Sequence, residues 1–249
     1  MINILLNGAN GKMGNEVIKA VKKSEGFKIV CGFDLEESNI EFPIYNNLLN
    51  IKENVDVIID FSIPVATFKI LEYARNYKIP IVIATTGFSK EQLEKIEKSS
   101  KEIPVFKSSN MSLDINLMSN IIKKVAEVLN KTDIEIVETH HNRKVDSPSG
   151  TAIMLADAIN EVFEGKKEYT FDRMQKRDKR NKNEIGFSSI RGGNIVGEHT
   201  VAFFGENESL EITHKAYSRQ VFAEGALNAA EFLVNQENGL YNMEDLIRN

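Results

Sequence analysis

Ile2-Asn3-Ile4-Leu5-Leu6-Asn7-Gly8-Ala9-Asn10-Gly11-Lys12-Met13-Gly14 opens the chain and decides its fold class. Residues 2–6 form an apolar run that reads as a buried strand. Gly8, Gly11 and Gly14 follow at once, and Glu16, Val17, Ile18, Ala20 and Val21 continue at helical spacing. Strand, glycine turn and helix in that order are the context of a dinucleotide-binding fingerprint, although Asn10 stands where the usual pattern has its second glycine. The glycines allow a tight turn and close approach of backbone to a pyrophosphate. The helix N-terminus offers N–H groups and the positive end of its dipole to that anion. Such a turn also occurs in α/β proteins that bind no nucleotide, so the rest of the chain has to arbitrate.

The next hundred residues repeat the same rhythm. Residues 28–33 read as a second strand running into Asp34, twenty residues after Gly14, where a carboxylate can accept from a ribose hydroxyl. Residues 55–61 read as a buried strand, 65–77 as a helix and 79–84 as a strand ending in Thr85-Thr86-Gly87. Ser89, with Gln92 three residues on, reads as the capping box of a helix to about Ser100. A strand from Val105 then runs into Ser108-Ser109-Asn110-Met111-Ser112. This alternation predicts a parallel, doubly wound sheet, with small polar residues at the strand ends lining a cofactor crevice.

After a long amphipathic helix over 113–129 the pattern changes. Residues 134–139 read as a strand and 151–163 as a helix. Residues 185–216 read as several antiparallel strands, with turns at Gly192-Gly193 and Gly205-Glu206-Asn207. A last helix runs from near Arg219 to about Val234. The expected fold is therefore α/β: a Rossmann-type parallel-sheet nucleotide domain over 1–111 and 219–249, and an α+β domain with a mixed or antiparallel sheet over 112–218.

A second stretch concentrates chemistry: Glu138-Thr139-His140-His141-Asn142-Arg143-Lys144-Val145-Asp146-Ser147-Pro148-Ser149-Gly150-Thr151, which holds two of the four histidines of the chain. Ser149, Gly150 and Thr151 open a helix, so their N–H groups can hold a carboxylate. Lys144 adds a point charge and a proton, and His140 is a general acid or base near neutral pH. His141 and Arg143 add positive charge, and Arg143 reads equally as a surface residue. Proton donors beside fixed positive charge suit a small dianionic substrate that must be protonated. Neighbouring histidines on a strand point to opposite faces, and no cysteine or carboxylate pair at ligand spacing accompanies them, so no metal is expected. No serine sits in a Gly-x-Ser-x-Gly elbow, which argues against a Ser–His–Asp hydrolase.

Composition narrows the classes further. The 249 residues are 27% charged and 42% apolar with a net charge of -5, which gives no electrostatic case for nucleic acid. No run approaches the ~20 apolar residues of a membrane span, and the short first run reads as a strand rather than a signal peptide. The single cysteine, Cys31, lies in an apolar strand and suits a reducing cytoplasm. Residues 172–182 carry six Lys or Arg against two Asp, either a solvated surface segment or an anion-binding loop.

Several motifs together resemble the bacterial dihydrodipicolinate reductase family, also called 4-hydroxy-tetrahydrodipicolinate reductases. They are Gly-Ala-Asn-Gly-Lys-Met-Gly at 8–14, Ile-Asp-Phe-Ser at 59–62, Ala-Thr-Thr-Gly-Phe at 84–88 and Ser-Ser-Asn-Met-Ser at 108–112. His-His-x-x-Lys-x-Asp-x-Pro-Ser-Gly-Thr at 140–151 is the most specific of them. Gly-Glu-His-Thr-Val at 197–201, Glu-Ile-Thr-His-Lys-Ala at 211–216 and Ser-Arg-Gln-Val-Phe-Ala at 218–223 extend the likeness to nearly the whole chain. The resemblance implies hydride transfer from NADH or NADPH to a cyclic dicarboxylate with loss of water, in diaminopimelate and lysine biosynthesis, by a cytoplasmic homotetramer. It implies His140 and Lys144 as the acid/base pair, and His141, Ser149, Gly150 and Thr151 as substrate-binding residues. It places the cofactor on Gly8, Ala9, Asn10, Gly11, Lys12 and Met13, with Asp34 on the adenine ribose. Ala84, Thr85, Thr86, Ser108, Ser109, Asn110 and Met111 would flank the nicotinamide half, with Arg219 and Phe222 close by. The nucleotide choice stays open. Asp34 repels a 2′-phosphate and Leu35 offers no guanidinium, while Lys12 could pair with that phosphate, so dual use leaning to NADH is the expectation.

Another two-domain dehydrogenase would share the nucleotide domain without needing the paired histidines and lysine. A catalytically silent nucleotide sensor would tolerate their loss.

Overall fold

The computed structural model describes residues 1–39, 41–174 and 178–248. In chain order its elements are β1 (Ile2–Asn7), α1 (Lys12–Lys22), β2 (Phe27–Phe33), β3 (Ser38–Asn39), β4 (Pro43–Tyr45), β5 (Val57–Asp60), α2 (Pro64–Tyr77), β6 (Ile81–Ile83), α3 (Lys90–Ser100) and β7 (Pro104–Lys107). There follow α4 (Leu113–Val128), β8 (Asp133–His140), α5 (Gly150–Val162), β9 (Glu168–Thr170), β10 (Glu184–Arg191), β11 (Gly197–Phe204), β12 (Ser209–Ala216), α6 (Gln220–Leu233), β13 (Gly239–Tyr241) and α7 (Met243–Arg248). The chain forms two compact units, one of Met1–Leu113 with Arg219–Asn249 and the other of Asp114–Ser218.

In the discontinuous unit the sheet order is β13-β7-β6-β5-β1-β2-β4-β3. Its strands are continuous apolar runs because helices cover both faces; Ile4, Leu5 and Leu6 of β1 and Val57, Ile58 and Ile59 of β5 are fully buried. The sheet is parallel except at its edge, where β3 pairs antiparallel with β4, a departure from the uniformly parallel expectation. These two short strands, like β13 and α7, carry too little periodicity to be read locally. On one face α1 buries Gly14, Val17, Ala20 and Val21, spaced as one stripe of a helix. Beside it α6 lays Ala223, Ala226, Ala229, Ala230 and Leu233 into the same core as Val57, Ile59, Val82 and Phe106. Small residues let α6 sit close: a Cβ on Gly225 would lie 1.7 Å from the Met111 carbonyl oxygen. On the other face Ile70, Leu71 and Ala74 of α2 and Ile96 of α3 pack on Ile58, Ile81 and Ile83. Ser89 caps α3 with Gln92 in a reciprocal capping box. From β1 the chain steps to β2 on one side, and β5 then lies on the other, so the order reverses between β1 and β5. Open α/β sheets bind ligands beyond the strand C-termini at such a reversal.

The contiguous unit has the sheet order β12-β11-β8-β10-β9. Its β8 alternates, with Ile134 and Ile136 facing the core formed with Ile115, Met118 and Ile122 of α4 and Leu155, Ala156 and Ile159 of α5. The expected run of antiparallel neighbours over 185–216 holds only for β11 and β12, joined through Gly205. By contrast β10 pairs parallel with β8, and β11 pairs antiparallel with the other edge of β8. Gly192-Gly193 is therefore not a hairpin turn. The segment after β10 crosses the end of β8, where His141 N donates to the Ile195 carbonyl (2.8 Å) and Gly192 N to the His140 carbonyl (2.9 Å).

Candidate active site

At the C-terminal edge of the parallel sheet, Gly8 takes a left-handed φ of +81° and turns the chain from β1 toward α1. A Cβ there would lie 2.3 Å from the Phe61 carbonyl oxygen, and one on Gly14 would lie 2.3 Å from the Gly8 oxygen. The turn is thus pressed against the end of β5 and closed on the first turn of α1. No side chain caps α1, whereas Ser89 and Ser149 cap α3 and α5. The first N–H groups of α1 are left for an anion. Asp34 Oδ2 accepts from Asn10 N at 2.8 Å, so the carboxylate after β2 also fixes the glycine turn.

These groups share a cleft of about 460 Å³ whose lining includes Gly8, Asn10, Gly11, Asp34 and Leu35, and also Asn7, Phe61, Ser62 and Lys69. Ala9 is buried in the core and Met13 packs on it, so their backbone rather than their side chains borders the turn. Lys12 is exposed on α1. Thr85 stands behind the cleft, its Oγ1 accepting from Ser62 N at 2.9 Å. Ala84, Thr86, Ser108, Ser109, Asn110 and Met111 follow β6 and β7 at the same sheet edge without lining the cleft. Arg219 precedes α6, exposed, and Phe222 packs on the core. The sequence pointed to the glycines and Asp34, marked Phe61 and Ser62 only as part of the 59–62 motif without a role, and gave no sign of Asn7 and Lys69, which the order of strands brings to the same cleft. The Gly8 and Gly14 cradle, the uncapped α1 and Asp34 fit a dinucleotide.

The second constellation lies in the contiguous unit. Along β8 the core-facing alternation continues past Ile136 into Glu138 and His140, both buried. Glu138 is 1% exposed and tied on every side. His140 Nδ1 lies 2.5 Å from its Oε2, Arg191 Nη1 and Nη2 donate to its two oxygens at 2.9 and 2.6 Å, and Ser149 N donates at 3.2 Å. Burial pushes the Glu138 carboxyl up, but hydrogen bonds from Arg191, Ser189 and His140 bring it down to about 2. Burial holds His140 below the ordinary imidazole value against the pull of Glu138. His199, whose Nε2 is 2.9 Å from Ser149 Oγ, is pushed down to about 3, mainly by burial.

Ser149 Oγ accepts from Ala152 N and caps α5. Its own N–H is taken by Glu138, which corrects the expectation of three outward N–H groups at this helix start. Gly150 is exposed, with open space where a Cβ would stand. Lys144 Nζ pairs with Asp146 Oδ1 at 2.9 Å, and Lys144 N donates to the His141 carbonyl. His141 Nδ1 is buried with no hydrogen-bond partner among the described residues, and Arg143 reaches Asn194 at the surface. The sequence reading left Glu138, Arg191 and His199 without a role. The spacing of Glu138 two residues before His140 on a strand was the available signal for the first.

Residues 175–177 of the basic segment lie outside the described residues. Of the rest, Arg173 bonds Glu184 and Glu135, and Arg180 bonds Glu135 and Asp133, so both arginines are spent on the acidic edge of their own sheet. Among the described residues no three His, Cys, Asp or Glu side chains cluster to hold a metal ion, and no helix is long and apolar enough to cross a membrane.

The family model described as dihydrodipicolinate reductase, N-terminus, matches residues 2–111, and that of its C-terminus matches residues 114–247. The chain belongs to the dihydrodipicolinate reductase family. Within that family it is 51% identical to the 4-hydroxy-tetrahydrodipicolinate reductase of Caldanaerobacter subterraneus subsp. tengcongensis over 248 residues, covering 100% of this chain and 99% of the relative. It is 46% identical to that of Clostridium novyi over 251 residues, again covering 100% and 99%. Among solved structures, the dipicolinate-bound dihydrodipicolinate reductase from Paenisporosarcina sp. TG-14 superposes with a TM-score of 0.79 at 26% identity, covering 97% of each chain.

Proposed function

We propose that this chain reduces 4-hydroxy-tetrahydrodipicolinate to tetrahydrodipicolinate in diaminopimelate and lysine biosynthesis. Substrate, NAD(P)H and one proton give product, NAD(P)+ and water. Membership of the dihydrodipicolinate reductase family along both units carries the reaction class. The observation that carries the chemistry is the end of β8, where an imidazole fixed by a buried carboxylate, a lysine and a helix N-terminus occur in one unit.

Bound nicotinamide supplies the hydride. His140 and Lys144 hold and deliver the proton, and His141 binds substrate. The N–H groups of Gly150 and Thr151 hold a substrate carboxylate, with Ser149 anchoring the turn behind them. A dicarboxylate is the fitting ligand class, and the Paenisporosarcina relative binds dipicolinate. Two carboxylate handles let binding energy orient the ring, which is catalysis by positioning.

In the cleft, residues Gly8 to Met13 cradle the pyrophosphate and Asp34 takes the adenine ribose. Ala84 to Thr86, Ser108 to Met111, Arg219 and Phe222 serve the nicotinamide half. Asp34 disfavours a 2′-phosphate, Leu35 offers it no guanidinium and the exposed Lys12 favours it, so both nucleotides serve, with a lean to NADH. The working form is taken to be a homotetramer, on the family resemblance alone. The setting is the cytoplasm.

The test is a coupled assay. Pyruvate and aspartate semialdehyde are condensed by a separate synthase, and NADH and NADPH oxidation is followed with the wild type and Lys144→Ala. Fast oxidation by the wild type, with near-silence in a Lys144→Ala protein that still binds NADH, is the expected result. No oxidation with either nucleotide by folded protein that binds NADH would overturn the reading and favour a nucleotide sensor.

A further inference from the structure

Glu138 is buried in a place where a carboxylate needs compensation, and its hydrogen-bond partners come from three parts of the fold. His140 lies on its own strand, Arg191 at the end of β10 and Ser149 at the start of α5, while His199 touches Ser149 from β11. A buried ion pair alone contributes little to stability, because desolvation offsets most of the Coulomb gain. What such an arrangement does provide is orientation, since a carboxylate on one imidazole nitrogen fixes the tautomer and the ring plane. Arg191 Nη2 also donates to the Asp146 carbonyl (2.8 Å), which ties in the loop that carries Lys144.

We propose that Glu138 is the positioning residue of the site: it accepts a hydrogen bond from Nδ1–H of His140, which leaves Nε2 as the nitrogen that gives and takes protons, and through Ser149 it sets the first turn of α5 in register with that nitrogen. The inference rests on the activity proposed above. Among the described residues His140 Nε2 makes no hydrogen bond, and the side beside it is kept open by glycine: a Cβ on Gly197 would lie 3.1 Å from Nε2. In the proton-transfer step the Nε2–H bond of the imidazolium breaks with its electron pair left on nitrogen, an electron pair of the substrate forms the new bond to that proton, and the neutral ring keeps its Nδ1–H hydrogen bond to Glu138. The groups that face this ring are Glu138 on β8, Lys144 and Asp146 on the following loop, Arg191 on β10 and His199 on β11. Glu138 and Asp146 favour the imidazolium. Lys144, Arg191 and a charged His199 oppose it.

The test reads the ring directly. Nitrogen-15 NMR of the wild-type protein should show neutral His140 protonated on Nδ1. Glu138→Gln should lower the titration midpoint of His140, because a negative neighbour is lost. The same variant should lower kcat by ~10- to 100-fold with NADH affinity unchanged, as expected when a general acid is misdirected. Glu138→Asp should recover part of kcat if a carboxylate, rather than bulk, is required. Neutral wild-type His140 protonated on Nε2 would overturn the proposal without any variant. So would a Glu138→Gln enzyme whose kcat and His140 midpoint are unchanged. Lack of turnover by the wild type would instead remove the proposed activity, while the tautomer measurement would still decide the role of Glu138.

Discussion

Asn7 and Asp60 are register partners at the C-terminal ends of β1 and β5, and Asn7 Nδ2 donates to Asp60 Oδ1 at 2.7 Å with both side chains buried. Asp60 also accepts from Ser62 Oγ (2.5 Å) and Thr67 Oγ1 (2.6 Å). Burial pushes its carboxyl up, against hydrogen bonds from Ser62, Thr67, Thr85 and Asn7. Asp60→Ala strands these donors in a dry site and should cost about 2–4 kcal/mol. Urea unfolding measures it, and NADH titration should show weaker binding because Asn7 and Ser62 line the cleft. A stability change within ~0.5 kcal/mol would mean the network is dispensable.

Gly14→Ala should be more damaging than its single methyl suggests. The new Cβ would meet the Gly8 oxygen at 2.3 Å and the Ala9 oxygen at 2.6 Å, both backbone atoms that cannot rotate away. A loss of about 1–3 kcal/mol or more, with loss of NADH binding, is expected from overpacking. Thermal melts with and without NADH separate the two effects; a variant that melts and binds like the wild type would show that the turn can open.

Asp34→Ala should shift nucleotide preference toward NADPH. The carboxylate that would bind a ribose hydroxyl and repel a 2′-phosphate is removed, and Leu35 beside it is indifferent to both. Asp34 also holds Asn10 N, so binding of both nucleotides should weaken. The ratio of kcat/KM for NADH to that for NADPH is the quantity to compare, and an unchanged ratio would take Asp34 off the ribose.

Gly197→Ala crowds His140 Nε2 while leaving the ladder of β11 intact. It should lower kcat by about 10- to 100-fold through misplacement of the ring or exclusion of substrate. The melting temperature should change little. Full activity would show that nothing needs the space beside Nε2.

Alongside the buried His199, Glu138 contributes to a loss of stability in acid. Its folded value of about 2 lies below the ordinary value of 4.5, so its contribution is complete above 4.5 and is lost as the pH falls toward 2. Denaturant midpoints measured from pH 6 to pH 2 should decline through this window. The decline should flatten in Glu138→Gln.

Local patterns carried much of this structure. The apolar run and three glycines at the N-terminus announce β1, its turn and α1. Ser89 and Gln92 mark the start of α3, and alternation marks β8. Strand partners were not legible in the same way. Whether β10 lies beside β8 or β11 depends on pairings across dozens of residues, and Arg191 meets Glu138 from 53 positions away. The charges of residues 172–182 left two readings open for a related reason. Their density is visible in the sequence, but the acidic partners of Arg173 and Arg180 belong to β8 and the start of β10. Glu138 was within reach, because a carboxylate on the core side of a strand demands a partner, and the nearest residue on that side is His140.

The placement of α6 imposes an order on biosynthesis. Ala223, Ala226 and Leu233 cover a face of the parallel sheet laid down by residues more than a hundred positions earlier. A ribosome that has released the chain as far as Ser218 has issued every strand of the contiguous unit, which can close upon itself. The first unit at that moment still shows bare apolar surface over β5, β6 and β7. Late synthesis thus finishes what early synthesis began, and truncation before Arg219 should yield a chain that aggregates through that uncovered face.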